Sequence, residues 1–243
     1  MPPPAERGFS FYEKMTEDKI GKIVIEMKRA IHPLKSFFTP AQRKVGEYFS
    51  SSTLQQEQEE RIILGAKSCD LNALKISDSV YSGEKFGKEY KDPFYIEARK
   101  RTLIISSDCV SPDENCFCNL VGSKPFPEEG FDLNFSFVEE GFVVQIGSEK
   151  GESLIKEYDA FFSSASQEMI RKMEKRREKS IKLLEKSNRE FKTGVPYREV
   201  VKDSYDSPVW KEHSESCVDC GGCNHICPTC RCFLLADRRY CQK

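Results

Sequence analysis

The sequence predicts an α/β N-terminal domain with an antiparallel hairpin addition, followed by a small, mainly helical, cysteine-rich C-terminal domain. Three observations predict it. Two short apolar runs, at Ile62 to Ala66 and from Thr102 in TLIISSDC, are separated by a helix-patterned stretch and a loop, which is the element order of a parallel α/β unit. The stretch FDLNFSFVEEGFVVQIGS alternates apolar and polar residues on both sides of Glu139-Glu140-Gly141, as a β-hairpin does. Six of the eleven cysteines then fall within the sixteen residues CVDCGGCNHICPTCRC, Cys217 to Cys232.

Taken in order, the Pro-rich start over residues 1 to about 8 reads as a frayed end. Ile20, Ile23, Val24 and Met27 stand at helical spacing and predict an amphipathic helix from Glu17 to Ala30, closed before Pro33. The polar run SSSTLQQEQEE, residues 50–60, reads as a linker or a solvated helix start. After the first strand, Leu71, Leu74, Ile76 and Val80 form a helix face of mixed quality, with Asp70 as a candidate cap. Residues 166–191 are charge-rich, with Met169, Ile170, Met173, Ile181 and Leu184 on one stripe, and read as a long, mostly exposed helix spacing two domains. The expected division is an α/β domain over 1–160, a charged linker helix over 161–195 and a cysteine-rich domain over 196–243 that holds the single tryptophan, Trp210.

Composition excludes several classes. With 38 basic against 39 acidic side chains there is no excess charge to hold nucleic acid. No apolar run approaches the ~20 residues that span a bilayer, so membrane insertion is not expected. The start lacks the apolar segment of an export signal, which places the chain in the cytoplasm. Thiols are reduced there, so dense cysteines read as metal ligands or redox groups before disulfides. Three histidines, no Ser-His-Asp set and scattered glycines (Gly122, Gly130, Gly141, Gly147) leave little for acid–base catalysis or phosphate binding.

Cys217, Cys220, Cys223 and Cys227 follow C-x2-C-x2-C-x3-C with Pro228 next, the bacterial ferredoxin run. Cysteines at every third residue of a tight loop present thiolates to neighbouring iron corners of a 4Fe-4S cubane. Gly221 and Gly222 suit such a loop, since they accept positive φ and let backbone N–H groups approach sulfur. The C-terminal domain is therefore expected to be ferredoxin-like. A structural zinc site is the alternative, but zinc ligands usually come as two pairs split by a longer spacer. Cys230, Cys232 and Cys241 are spare thiols for ligation or burial beside the cluster, and His225 reads as a solvent-side residue.

A second group stands earlier. Cys69 in AKSCDL and Cys109, Cys116 and Cys118 in DCVSPDENCFC each follow a predicted strand, at the edge where α/β sheets carry their functional loops. Four thiols could converge there as a second metal or cluster site or a redox set. The competing reading is small buried residues in tight turns.

The stretches GAKSCDLNALKISD, DPFYIEARKRTLIISSDC, ENCFCNLVGSKPFPEEGFDLNFS, VQIGSEKGE and CVDCGGCNHICPTCRCFLLAD occur in this order over most of residues 62–152 and 217–237. In them the chain resembles the family of iron–sulfur subunits shared by anaerobic sulfite reductases and, as their beta subunit, by cytoplasmic sulfhydrogenases. The resemblance implies a non-catalytic subunit that passes electrons between a flavin-containing partner and a catalytic reductase or hydrogenase subunit. It also implies two 4Fe-4S clusters in a helical C-terminal domain. Only one run is present, and the sixteen residues after Cys227 hold no second one, so the expectation is a truncated member with one cluster and a second left open. The four earlier cysteines match the family's pattern without an assigned role. Against this stands a zinc-stabilised interaction module without redox activity, docking through the helix at 166–191.

Overall fold

The computed structural model describes residues 12–23, 25, 29–40, 42–46, 48, 60–139, 141–231 and 236–237. The expectations for residues 1–8 and 50–59 lie outside these. The helix expected over Glu17 to Ala30 is corrected: a 3-10 helix spans Glu17–Lys22 and ends at Ile23, whose backbone is extended. Gly21 falls inside this segment, and a glycine costs a helix about 1 kcal/mol where so few residues share the cost of nucleation. Val24 and Met27 lie outside the described residues. Pro33 instead leads into a single helical turn, α1 (Lys35–Phe38), which buries Phe38 completely.

The apolar run at 62–66 forms β1 (Arg61–Ala66), followed by α2 (Ser68–Tyr81) and α3 (Pro93–Lys100). Asp92 caps α3 by accepting from the Phe94 and Tyr95 N–H groups at 2.9 and 3.1 Å, and Pro93 takes the first helical position, where its missing N–H costs nothing. Next come β2 (Thr102–Ser107), β3 (Leu133–Val138) and β4 (Gly141–Ile146). These strands make one sheet in the order β1-β2-β3-β4, parallel for the first two pairings and antiparallel for β3 with β4. The α/β unit and its hairpin addition are thus both present. The buried face of α2 is Leu71, Ala73, Leu74 and Ser77, whereas Ile76 is 55% exposed; the mixed pattern in the sequence reflected one residue that is not on the core face. Leu34, Phe38, Ile63, Leu71, Leu74, Tyr95, Ile104 and Phe131 form the main core.

After β4 come α4 (Glu149–Glu157) and α5 (Gln167–Ser187). Ser148 caps α4 through the Gly151 N–H, and α4 lies so close to the sheet edge that a Cβ on Gly151 would stand 2.0 Å from the Asp132 carbonyl oxygen. The charged helix expected at 166–191 is present as α5, but it is not free along its length. It lies against β3 and β4, with Met173 packed on Val138 and Val143 and with Leu184 fully buried. The buried stripe also carries polar groups: Ser180 is 2% exposed, and Arg177 grips the buried Asp108 at the end of β2. Beyond α5 the described residues hold a 3-10 turn, Arg189–Phe191, three short α-helices and no strand: α6 (Tyr197–Asp203), α7 (Pro208–Ser214) and α8 (Gly222–Ile226). No helix among the described residues is long and apolar enough to cross a membrane.

Candidate functional site

Cys69 and Cys109 follow the C-terminal ends of β1 and β2. Gly65, at φ 89, sits where the register of β1 against β2 shifts, a bulge that turns the chain sharply into α2. Lys67 is consequently the N-cap of α2, and Cys69 and Asp70 lie in its first turn. The cap expected of Asp70 is therefore corrected in position, since the first residue outside the helix is Lys67.

Between Asp108 and Phe117 the chain has neither helix nor strand, and Cys118 opens a 3-10 turn, Cys118–Val121. This loop is held by donors from other segments. Ser180 Oγ of α5 donates to the Cys109 carbonyl at 2.5 Å, and Asn188 Nδ2, just past α5, donates to the Cys116 carbonyl at 2.8 Å and to Asn119 Oδ1 at 2.6 Å. The Ser123 N–H donates to the Cys118 carbonyl at 2.9 Å. Ser123 Oγ in turn meets Ser68 Oγ at 3.4 Å and accepts from Asn72 Nδ2 at 2.6 Å, which joins the Cys118 turn to the helix that carries Cys69. The Asp113 N–H points at Cys116 Sγ, 3.2 Å away. Lys67, 3% exposed, donates to Ser107 Oγ at 2.7 Å, to the Asp108 carbonyl at 3.1 Å and to the Ile25 carbonyl at 3.2 Å.

Burial and neighbouring groups shift Cys69, Cys109 and Cys118. Burial pushes the Cys69 thiol far up, with Asp70, Cys109 and Cys118 adding to the shift and Arg29 opposing it. Burial raises Cys109 to about 11, with Cys116 and Cys118 adding and the Lys67 ammonium opposing. Cys118 is raised by burial and by Cys116. Burial lowers Lys67, while Cys109, Asp108, Cys69 and Asp70 pull it back up. Burial also raises Asp70 to about 6, against the pull of Arg29 and of Lys67.

A buried polar network adjoins this group. Arg177 donates Nε to Asp108 Oδ2 at 2.7 Å and Nη2 to Oδ1 at 3.0 Å, and Asp108 also accepts from Asn134 Nδ2 at 2.9 Å and Ser136 Oγ at 2.8 Å. Every one of these acceptors has a donor, as a buried carboxylate requires. No pattern in the sequence marked Asp108 or Lys67 as site residues. Ser180 and Asn188 did leave a signal: they fall on the helical stripe of Met173 and Leu184, where polar residues at buried positions have to bond to something.

The C-terminal run is built differently. The Cys217 N–H caps the end of α7 on the Ser214 carbonyl at 3.0 Å. The chain then winds through two left-handed residues, Asp219 at φ 52 and Gly221 at φ 69, into α8. Cys217, Cys220 and Cys223 are free and exposed, as is His225. Cys227 is disulfide-bonded to Cys230 and also accepts the Cys230 N–H at 3.1 Å. Cys232 and Cys241 lie outside the described residues.

Two cations bind this run to the first half of the chain. Lys35 Nζ of α1 donates to the Asn224 carbonyl and, at 2.7 Å, to the Cys230 carbonyl. The Arg231 guanidinium lies over the rings of Tyr81 and Tyr95, 4.8 and 5.0 Å from their centroids, with its nitrogens buried and without a hydrogen-bond partner. The rings attract the charge, while burial lowers the guanidinium's pKa.

Among the described residues, no three side chains of His, Cys, Asp or Glu stand close enough to hold a metal ion together. The run nevertheless fits an iron–sulfur cluster in its donors and its winding: three free thiols on a loop turned by two left-handed residues, with Cys220 Sγ 3.5 Å from where a Cβ on Gly222 would be. The fourth donor, Cys227, is engaged with Cys230.

No family model and no solved structure matches the chain. Among curated proteins, the chain is 31% identical over 229 residues to sulfhydrogenase 2 subunit beta of Pyrococcus furiosus. That alignment takes in 94% of this chain and 65% of the relative, so the chain spans about two thirds of the length of the protein it matches. Over the residues aligned, the chain is similar to a sulfhydrogenase beta subunit.

Proposed function

We propose that the chain is an electron-transfer subunit of a cytoplasmic oxidoreductase complex, holding a 4Fe-4S cluster on Cys217, Cys220, Cys223 and Cys227 and serving a flavin-containing subunit and a catalytic reductase or hydrogenase subunit. The relative is by name the beta subunit of a sulfhydrogenase, which supports the subunit role. The observation that carries the cluster is the loop itself: exposed thiols at every third residue, brought round by Asp219 and Gly221, which hold left-handed backbone on either side of Cys220. When bound, the cluster supplies a one-electron store whose potential follows solvent exposure and N–H···S bonds.

The chain's own residues do the positioning. Lys35 and Arg231 fasten the run against α1, α2 and α3, which fixes the loop's orientation relative to the sheet. Asp219 and Gly221 turn the chain sharply on either side of Cys220. Cys227 would be available as a ligand once its bond to Cys230 is reduced, which takes two electrons and two protons and leaves two thiols. The cytoplasmic thiol pool is poised to deliver them.

The test is anaerobic reconstitution with ferrous iron and sulfide, followed by iron and sulfide counts and EPR of the dithionite-reduced protein. About four irons and four sulfides per run and a reduced-cluster signal are expected. A silent spectrum with only zinc bound would refute the reading and favour a structural zinc module.

A further inference from the structure

We propose that Cys69, Cys109, Cys116 and Cys118 form a second thiolate-ligated metal centre, at the C-terminal edge of the sheet and independent of the run at 217–227. Three segments distant in sequence carry these thiols to the C-terminal edge of the sheet: the first turn of α2, the residue after β2 and the loop and turn that hold Cys116 and Cys118. The fold directs specific donors to holding them there. Side chains of Ser180 and Asn188 and the N–H of Ser123 bond to the carbonyls of Cys109, Cys116 and Cys118 themselves, in a stretch with no regular structure. One sulfur, Cys116 Sγ, already receives an N–H, from Asp113, as ligating sulfurs do around metals.

The chemistry of the surroundings points the same way. A divalent ion with four thiolates carries a net charge of about −2, which is costly to bury without a nearby cation. Lys67 supplies one: its ammonium is buried among Ser107 Oγ and the Asp108 carbonyl, beside Cys109. Ligation converts four thiols to thiolates and releases four protons to solvent, with no change in electron count. In this structure the thiols do not yet close on one point. The backbones of Cys109, Cys116 and Cys118 are held by their carbonyls, so closure on a metal would come from rotation of the cysteine side chains about the Cα–Cβ bond. An all-sulfur donor set selects a thiophilic metal, zinc or iron, the latter alone or as a cluster.

The experiment uses the full chain with Cys217, Cys220, Cys223, Cys227, Cys230, Cys232 and Cys241 changed to serine, which leaves only the four thiols in question. Anaerobic titration with cobalt(II) alone is expected to give about one cobalt per chain, with thiolate-to-cobalt charge-transfer and tetrahedral d–d absorption. Adding C69S, C109S, C116S or C118S should each weaken binding at least about tenfold. Absence of thiolate bands, or bands indifferent to these four changes, overturns the centre. Should the sevenfold variant fail to fold, the wild-type chain is alkylated with and without zinc(II) and read by mass spectrometry. About tenfold protection of Cys116 and Cys118 supports the centre, and unchanged rates overturn it. In the sevenfold variant, ferrous iron plus sulfide giving broad absorption at about 400 nm supports a cluster, while tight zinc retention without that absorption supports a mononuclear ion. Retention of neither overturns both. The run at 217–227 is absent from this variant, so failure here leaves the electron-transfer reading standing, and the reverse.

Discussion

Arg177→Met is the sharpest test of how α5 is held. In the wild-type chain the guanidinium makes two charge-assisted hydrogen bonds to Asp108, donates to Ser136 Oγ at 3.1 Å, and stacks 4.5 Å from the centre of the Phe126 ring. Both partners are nearly dry, with side chains 13% and 7% exposed. Breaking a buried pair from one side costs about 3–5 kcal/mol, because the remaining charge keeps its desolvation cost. Asp108 keeps its bonds from Asn134 and Ser136, which places the loss at the low end, and methionine's own burial returns a little against the lost ring contact of about 1 kcal/mol. The expected net loss is about 3 kcal/mol, read by urea denaturation followed by far-UV circular dichroism under reducing conditions. Asp108→Asn alone should cost less, and the double variant should be less destabilised than the sum by about 2 kcal/mol or more. Because Ser180 lies on the same helix and Asn188 caps its end, Arg177→Met should also speed alkylation of Cys116. A loss under about 1 kcal/mol, or strict additivity with Asp108→Asn, would refute the reasoning.

Three further outcomes rest on single contacts. Gly151→Ala should destabilise by about 2 kcal/mol or more in thermal melts, since the new methyl would meet the Asp132 carbonyl and push α4 off the sheet edge. Gly221→Ala forces an L side chain to φ 69 at a cost of about 1 kcal/mol, all of it in the loop, so iron retained after reconstitution should fall several-fold while the melting of the sheet domain stays put. Arg231→Ala removes the guanidinium from the Tyr81 and Tyr95 rings; tryptic cleavage between residues 189 and 231 should quicken several-fold, and unchanged cleavage would mean that the run is not fastened there.

What was legible in the sequence follows the range of the forces involved. Strands β1 to β4 announce themselves by short apolar runs and alternation, because each needs a buried face, and α5 by its 3.6-residue stripe. The cysteine run is legible because its spacing is local, four cysteines within eleven residues from Cys217 to Cys227. The expected helix at 17–30 fails because spacing alone ignores the cost of Gly21 in a short segment. Arg177 looked like one more solvated charge in KMEKRREKS, and only the fold brings Asp108, sixty-nine residues away, beneath it. Lys35 and Arg231 were invisible for the same reason, as their partners lie in other elements.

These long-range contacts give α2 a role that neither cysteine group implies alone. Cys69 lies in its first turn and Tyr81, which holds Arg231 beside the C-terminal run, is its last residue. Fourteen residues at 1.5 Å per residue make a rigid strut of about 20 Å between the two sets of thiols. The helix is set in the main core through Leu71 and Leu74, so neither end moves without unpacking the sheet. A loop that carried the run on a free linker would leave its distance from the sheet edge to chance. Here the run is attached beside the helix through one ammonium on two carbonyls and one guanidinium on two rings. A binding partner that competes for Tyr81 and Tyr95, or for Lys35, would therefore release the run without disturbing the four thiols at the other end.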